Sequence, residues 1–215
     1  RLPADHESTR QSRRSLAALT QRGELVPLAR GLNSTYLRMN ALIARTLAQQ
    51  EQKLGASLDY LRSLAGVSTG LFAKFGLTTP AATHRKHTPR DAWHLARLGA
   101  TRVQDCGTCV QTVVNVALDD GVAPDVFRAA LDGNVEALNE ASRLALRVGK
   151  AVAERSATVE ELRQQLEERL GHEAAVELAL AVTMAQVYPI LKRGLGQAVA
   201  CARVEVAVDR TSAAN

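Results

Sequence analysis

A chain of 215 residues with 46% hydrophobic and 23% charged side chains has the balance of one globular domain, or of one domain with an extension. Its formal charge of +5 comes with only 3% aromatics and no basic helical stripe, which argues against nucleic acid as a partner. Three cysteines are too few for a disulfide scaffold, and a core that must be built from Leu, Val and Ala points to an all-α fold in a reducing compartment.

In chain order, residues 1–34 are rich in Arg and Ser and read as an N-terminal extension, with a weak helix from Ser12 to Gln21 broken by Gly23, Pro27 and Gly31. The start is polar and carries no secretory signal, so the expected localisation is cytoplasmic. Residues 35–87 form a helical N-terminal part and linker. A helix is predicted from Ser34 to Leu54, a short one from Leu58 to Ala65 capped by Ser57, and another from Thr69 to Phe75. Gly76 to Lys86 reads as linker ending in the basic run His84-Arg85-Lys86-His87.

Residues 88–206 form the core. Thr88-Pro89 opens a helix to Val103, with Thr as N-cap and Pro at the first position. Trp93, Ala96, Ala100 and Val103 make one side; Arg90, His94, Arg97 and Thr101 make another. After the next helix, which holds two cysteines, Pro124 begins a short one ended by Gly133. A long helix is predicted from Val135 to Arg155. Thr158 to Glu161 matches a capping box and starts a helix to Leu170, stopped by Gly171. The last element, Glu173 to Val206, must kink or split at Pro189. Its apolar run Leu178–Leu191 is shorter than a bilayer span and holds Gln186 and Pro189, so it reads as a buried helix and no membrane span is expected. Gly194, Ala198 and Cys201 make a small-residue face, and residues 207–215 are a tail.

The chemistry concentrates in Cys106-Gly107-Thr108-Cys109. Cys106, Cys109, Val110, Val113, Val114, Ala117 and Leu118 share one face of a helix, so both sulfurs point inward at its start, and Thr108, Gln111, Asn115 and Asp119 take the opposite, polar face. Asp105 is the expected N-cap and Gly121 the stop. A helix N-terminus favours negative charge and lowers a thiol pKa. Cysteines three apart can approach bonding distance, giving a reversible dithiol–disulfide pair with Cys201 as a spare thiol. Two buried structural cysteines are the plain alternative. Cys106, Cys109 and His94 fall one short of the four ligands of a structural zinc site, so no metal and no cofactor is expected. The other histidines read as solvated. Lys192 and Arg193 beyond the proline read as a solvated helix face, the alternative being that they fold near a cysteine and lower its pKa.

The motif and its setting resemble the alkylhydroperoxidase D-like proteins of the carboxymuconolactone decarboxylase superfamily. The matching region runs from about Asp91 to Val204: a helix ending just before CxxC, the CxxC opening the next helix, and a Gly-ended short helix after it. The resemblance implies an alkylhydroperoxidase D-like helical bundle, assembly into a homo-oligomer, and a thiol-dependent peroxidase or disulfide oxidoreductase. Its partners would be a small hydroperoxide and a thiol reductant. The family places a Glu on the preceding helix and a His four residues after the second Cys as a proton relay. Here those positions hold His94 and Val113. His94 thus stands either as a modified base or as a polar-face residue beside Arg90 and Arg97. The catalytic candidates are Cys106, Cys109 and His94. The resemblance leaves open which sulfur attacks. A non-catalytic or redox-sensing helical oligomer is the alternative, and a lactone-type decarboxylase is disfavoured because that branch does not depend on CxxC.

Overall fold

The computed structural model describes residues 25–198 and 204–206, with side chains from residue 38 onward. The predicted helix Ser12–Gln21, Cys201 and the tail lie outside the described residues. The chain divides into two compact units, residues 1–46 and 47–215. In the first, the described part is the opening of helix α1 (Leu25–Leu54), with Met39 and Leu42 exposed. The second contains the remaining elements.

Among the described residues every regular element is helical. After α1 come α2 (Asp59–Val67), α3 (Thr69–Gly76), α4 (Thr78–Thr83), α5 (Arg90–Val103), α6 (Gly107–Asp119), α7 (Pro124–Asp132), a 3-10 turn (Val135–Ala137), α8 (Glu140–Glu154), α9 (Val159–Leu170) and α10 (His172–Gly194). The all-α class holds.

Several boundaries differ from expectation for local reasons. The segment Gly76–Lys86 contains α4, with Pro80 in its first turn, where a missing N–H costs little. The stretch from Val135 first turns as 3-10 and then restarts at Glu140, because the Asn139 carboxamide oxygen accepts from Ser142 N–H at 2.9 Å and caps α8. The capping box at Thr158 does not form: its side chain caps nothing, and its N–H donates to Ser156 Oγ instead. Helix α10 runs continuously through Pro189 and ends at Gly194. Further along, Gln111 exchanges two hydrogen bonds with the Glu205 backbone. By length and composition alone α10 suffices to cross a membrane; here its buried face, including Leu178, Ala181, Val182 and Ala185, belongs to the core.

Helix α5 is the centre of the second unit. It packs most extensively on α8, and also on α10 and α6. The α5–α8 crossing is backbone against backbone. A Cβ on Gly149 would stand 1.9 Å from the Ala96 carbonyl oxygen, and one on Gly99 would stand 2.3 Å from that of Leu146. Ala92, Ala96 and Ala100 fill the rest of this face with buried methyls. Small side chains bring the axes close, and the bulk is supplied by Leu144, Val148, Leu162, Leu166 and Leu178 around them.

The loop into α5 is clamped from α10. Glu177, 5% exposed, accepts hydrogen bonds from the backbone N–H groups of Lys86, His87 and Thr88 and from the Thr88 hydroxyl at 2.6 Å. Burial alone would raise this carboxyl, but those bonds outweigh it and hold it below the usual range. Thr88 therefore serves Glu177 rather than capping α5, which has no side-chain cap.

Candidate active site

The turn between α5 and α6 places the two cysteines. Gln104 ends α5, and Asp105 follows in the left-handed region at φ 47°, a conformation Asp tolerates better than most residues. Asp105 thus stops α5 instead of capping α6. Cys106 is the N-cap residue of α6, and no side chain caps that first turn. The Cys106 carbonyl accepts from Cys109 N–H at 2.9 Å and Val110 N–H at 3.0 Å. Cys109 lies in the first turn, 5.2 Å from Cys106 between Cα atoms, and the two sulfurs are joined in a disulfide. Cys106 is 1% exposed and Cys109 6% exposed. The expected pairing within CxxC is present, at a helix start whose N–H groups and dipole favour a thiolate.

Cys109 borders a cavity of about 670 Å³ that takes its walls from α2, α3, α4, α5, α6 and α10 and from the end of α1. Val113 of α6, Asp120 just beyond its end, and Trp93, His94, Arg97 and Thr101 of α5 face the same space. The structure thus brings His94, Cys109 and Val113 to one cavity. Cys106 lies behind Cys109 and is not on the wall.

His94 is buried rather than solvated on a polar face. Its Nε2 stands 3.0 Å from Asp120 Oδ2, and its Nδ1 has no partner among the described residues. Asp120 also pairs with Arg85 at 3.1 Å, and its backbone carbonyl accepts from Arg90 at 3.1 Å. Burial would raise the Asp120 carboxyl, but the His94 bond and the Arg85 charge outweigh it and hold it ionised. Burial lowers His94 to about 4, against the pull of Asp120. At neutral pH the imidazole is therefore neutral, with Nε2–H donated to the carboxylate. Nδ1 is left as a bare lone pair.

Lys192 takes the alternative place open to it from the sequence, folded near a cysteine. Instead of sitting on a solvated helix face, it is 6% exposed and reaches from α10 to the first turn of α6. Its Nζ donates to Thr108 Oγ1 at 3.5 Å, and that hydroxyl lies 3.6 Å from Cys106 Sγ. The ammonium also stands 5.2 Å from the centre of the Tyr60 ring. Burial lowers its pKa, with the Asp59 charge opposing. Arg193 beside it donates to the Gln104 carbonyl, tying the end of α10 to the cysteine turn. Asn115, predicted on an outer polar face, is buried and donates to the Leu54 carbonyl at 2.6 Å.

Among the described residues no group of three His, Cys, Asp or Glu side chains is placed to hold a metal ion. The class that fold and site define is an all-α protein with a buried CxxC disulfide whose Cys109 borders a large cavity. No family model, curated protein or solved structure matches this chain.

Proposed function

We propose that the protein is a thiol-dependent oxidoreductase of the alkylhydroperoxidase D-like kind, reducing an organic hydroperoxide at Cys109. The observation that carries this reading is the position of Cys109, bonded to Cys106 at an uncapped helix start and bordering the cavity that His94 also faces. In the reduced enzyme the Cys109 thiolate attacks the terminal peroxide oxygen. The O–O bond breaks, and the alkoxide leaves with a proton as an alcohol. The Cys109 sulfenic acid then condenses with the Cys106 thiol, forming the disulfide and releasing water. An external dithiol restores the pair by exchange and is itself oxidised to a disulfide.

The buried Lys192 supplies through Thr108 a positive charge close to the sulfurs, which favours the thiolate form. His94 offers a neutral Nδ1 beside the same cavity, but a group with a pKa of about 4 is a weak base at neutral pH. The family's His position is Val113, which has no proton to give. Turnover is therefore expected to be slow, since a positioned acid–base group is worth about 10²–10⁴-fold.

Cumene hydroperoxide consumption with excess dithiothreitol tests the reading. Cys109→Ser should abolish turnover, and Val113→His should raise it. If Cys109→Ser keeps the rate, or if Val113→His and His94→Ala both leave it unchanged, the proton path and the mechanism are wrong.

A further inference from the structure

The cavity is charged out of balance. Its wall includes three cationic side chains, Arg85, Arg97 and Lys192, against one carboxylate, Asp120, with His94 neutral. Arg85 is paired with that carboxylate. Arg97 has no ion pair among the described residues, and its Nε and Nη1 are buried with no hydrogen-bond acceptor. Its guanidinium lies over the face of Trp93, whose ring centre is 4.3 Å from the guanidinium carbon. Such a contact is far weaker than the hydration that a buried guanidinium gives up. The same stretch of α5 carries Trp93 Nε1 and Thr101 Oγ1, also buried without partners. Unmatched buried donors on this scale mark a place where an acceptor belongs.

The rest of the wall is apolar. Tyr60, Phe75 and Tyr188 meet edge to face with ring centres 6.0–6.4 Å apart, and Leu54 and Phe72 extend that lining. A volume of about 670 Å³ suits a small organic molecule.

We infer that the cavity binds a small organic carboxylate with an apolar body, the carboxylate pairing with Arg97 and the body lying against the Tyr60–Phe75–Tyr188 cluster. The planar guanidinium matches a carboxylate in two parallel bonds, and the anion supplies the counter-charge that the fold withholds. As an assignment of substrate class this rests on the thiol reading above, and the hydroperoxide served would be an acidic one. As a binding site it stands without any turnover.

Calorimetric titration of the oxidised, full-length protein decides the matter. Octanoate, 1-octanol and octylammonium share one body and differ in head group, and acetate supplies the head group alone. Octanoate should bind at least tenfold more tightly than 1-octanol, roughly the scale of one charge-assisted pair, and octylammonium more weakly still. Acetate should bind at least tenfold more weakly than octanoate. Arg97→Met should remove the preference for octanoate over 1-octanol while keeping the affinity for 1-octanol, and Arg97→Lys should retain part of the preference. Equal binding of octanoate and 1-octanol, an unchanged preference in Arg97→Met, or acetate binding as tightly as octanoate overturns the inference. Octanoate binding without hydroperoxide reduction would sink the thiol reading alone. Reduction that shows no preference for acidic hydroperoxides would sink this inference alone.

Discussion

On the side of α5 that meets α8, Ala96 and Gly99 let a second backbone approach until no Cβ fits between them, and buried methyl groups fill what remains. On the side that meets the cavity, Trp93, His94, Arg97 and Thr101 each keep a buried polar atom without a partner among the described residues. One helix of fourteen residues thus carries a face built for stability and a face that works against it. The first face is close-packed and leaves nothing for a ligand to do. The second holds charge and hydrogen-bonding capacity in reserve, at a cost borne by the packing on the other side. The difference teaches where to look for function in a chain with no matching relative: at the buried groups the fold leaves unsatisfied.

The sharpest break of this comparison is on the packed face. Gly149→Ala puts a methyl within 1.9 Å of the Ala96 carbonyl oxygen, and neither backbone can yield without separating α5 from α8. A loss of about 3 kcal/mol or more is expected in chemical denaturation, at the upper end of overpacking effects. A variant as stable as the parent would show that the crossing is looser than described.

The cavity face gives the next effect, through pH. His94 is lowered to about 4 in the fold from an ordinary value of 6.5, so between these values the unfolded chain binds a proton that the folded chain refuses. Stability is then full above pH 6.5 and is lost as the pH falls toward 4. From pH 7 to pH 5 the loss should be about 2 kcal/mol, at about 1.4 kcal/mol per pH unit for one proton. Glu177 and Asp120, both held below their ordinary values, titrate beneath this window. Denaturation midpoints at the two pH values measure the loss, and His94→Asn should remove most of it. A parent protein with equal midpoints contradicts the buried, neutral imidazole.

The smallest effect has the opposite sign. Arg97→Met replaces an unpaired buried cation with an apolar chain of similar length, and should stabilise by about 1 kcal/mol even after the Trp93 contact is lost. A thermal shift downward would mean that Arg97 has a partner the fold supplies, and the contrast between the two faces of α5 would fail.

The 3.6-residue period and its Gly and Pro punctuation were enough to read most helices, and the inward placement of Cys109, Val110, Val113 and Val114 followed from spacing alone. What spacing could not supply was which polar residues the fold would bury. The burial of Lys192 depends on Thr108, which lies 84 residues earlier, and that of Asn115 on a carbonyl 61 residues away. The polar face Arg90–His94–Arg97–Thr101 was visible, but a polar stripe ordinarily faces water, and here most of it faces a cavity closed by α2, α3 and α10. Two signals were available. Trp93 and Arg97 stand at i, i+4, the spacing that stacks a guanidinium on a ring, and Gly99 and Gly149 sit inside helices, where glycine weakens the helix unless a neighbour needs the space. The short α4 was hidden because its Thr-rich sequence has little helical propensity of its own.

The central claim is that Cys106 and Cys109 are a working redox pair rather than a structural staple, and their reduction potential tests it most directly. Equilibrating the purified protein in graded dithiol–disulfide buffers and counting free thiols gives the value. A pair whose thiolates are favoured by a helix start and by Lys192 should fall in the range of cycling oxidoreductases, about −180 to −270 mV. A value below about −300 mV, the territory of structural disulfides, would contradict the account, as would a pair that never oxidises.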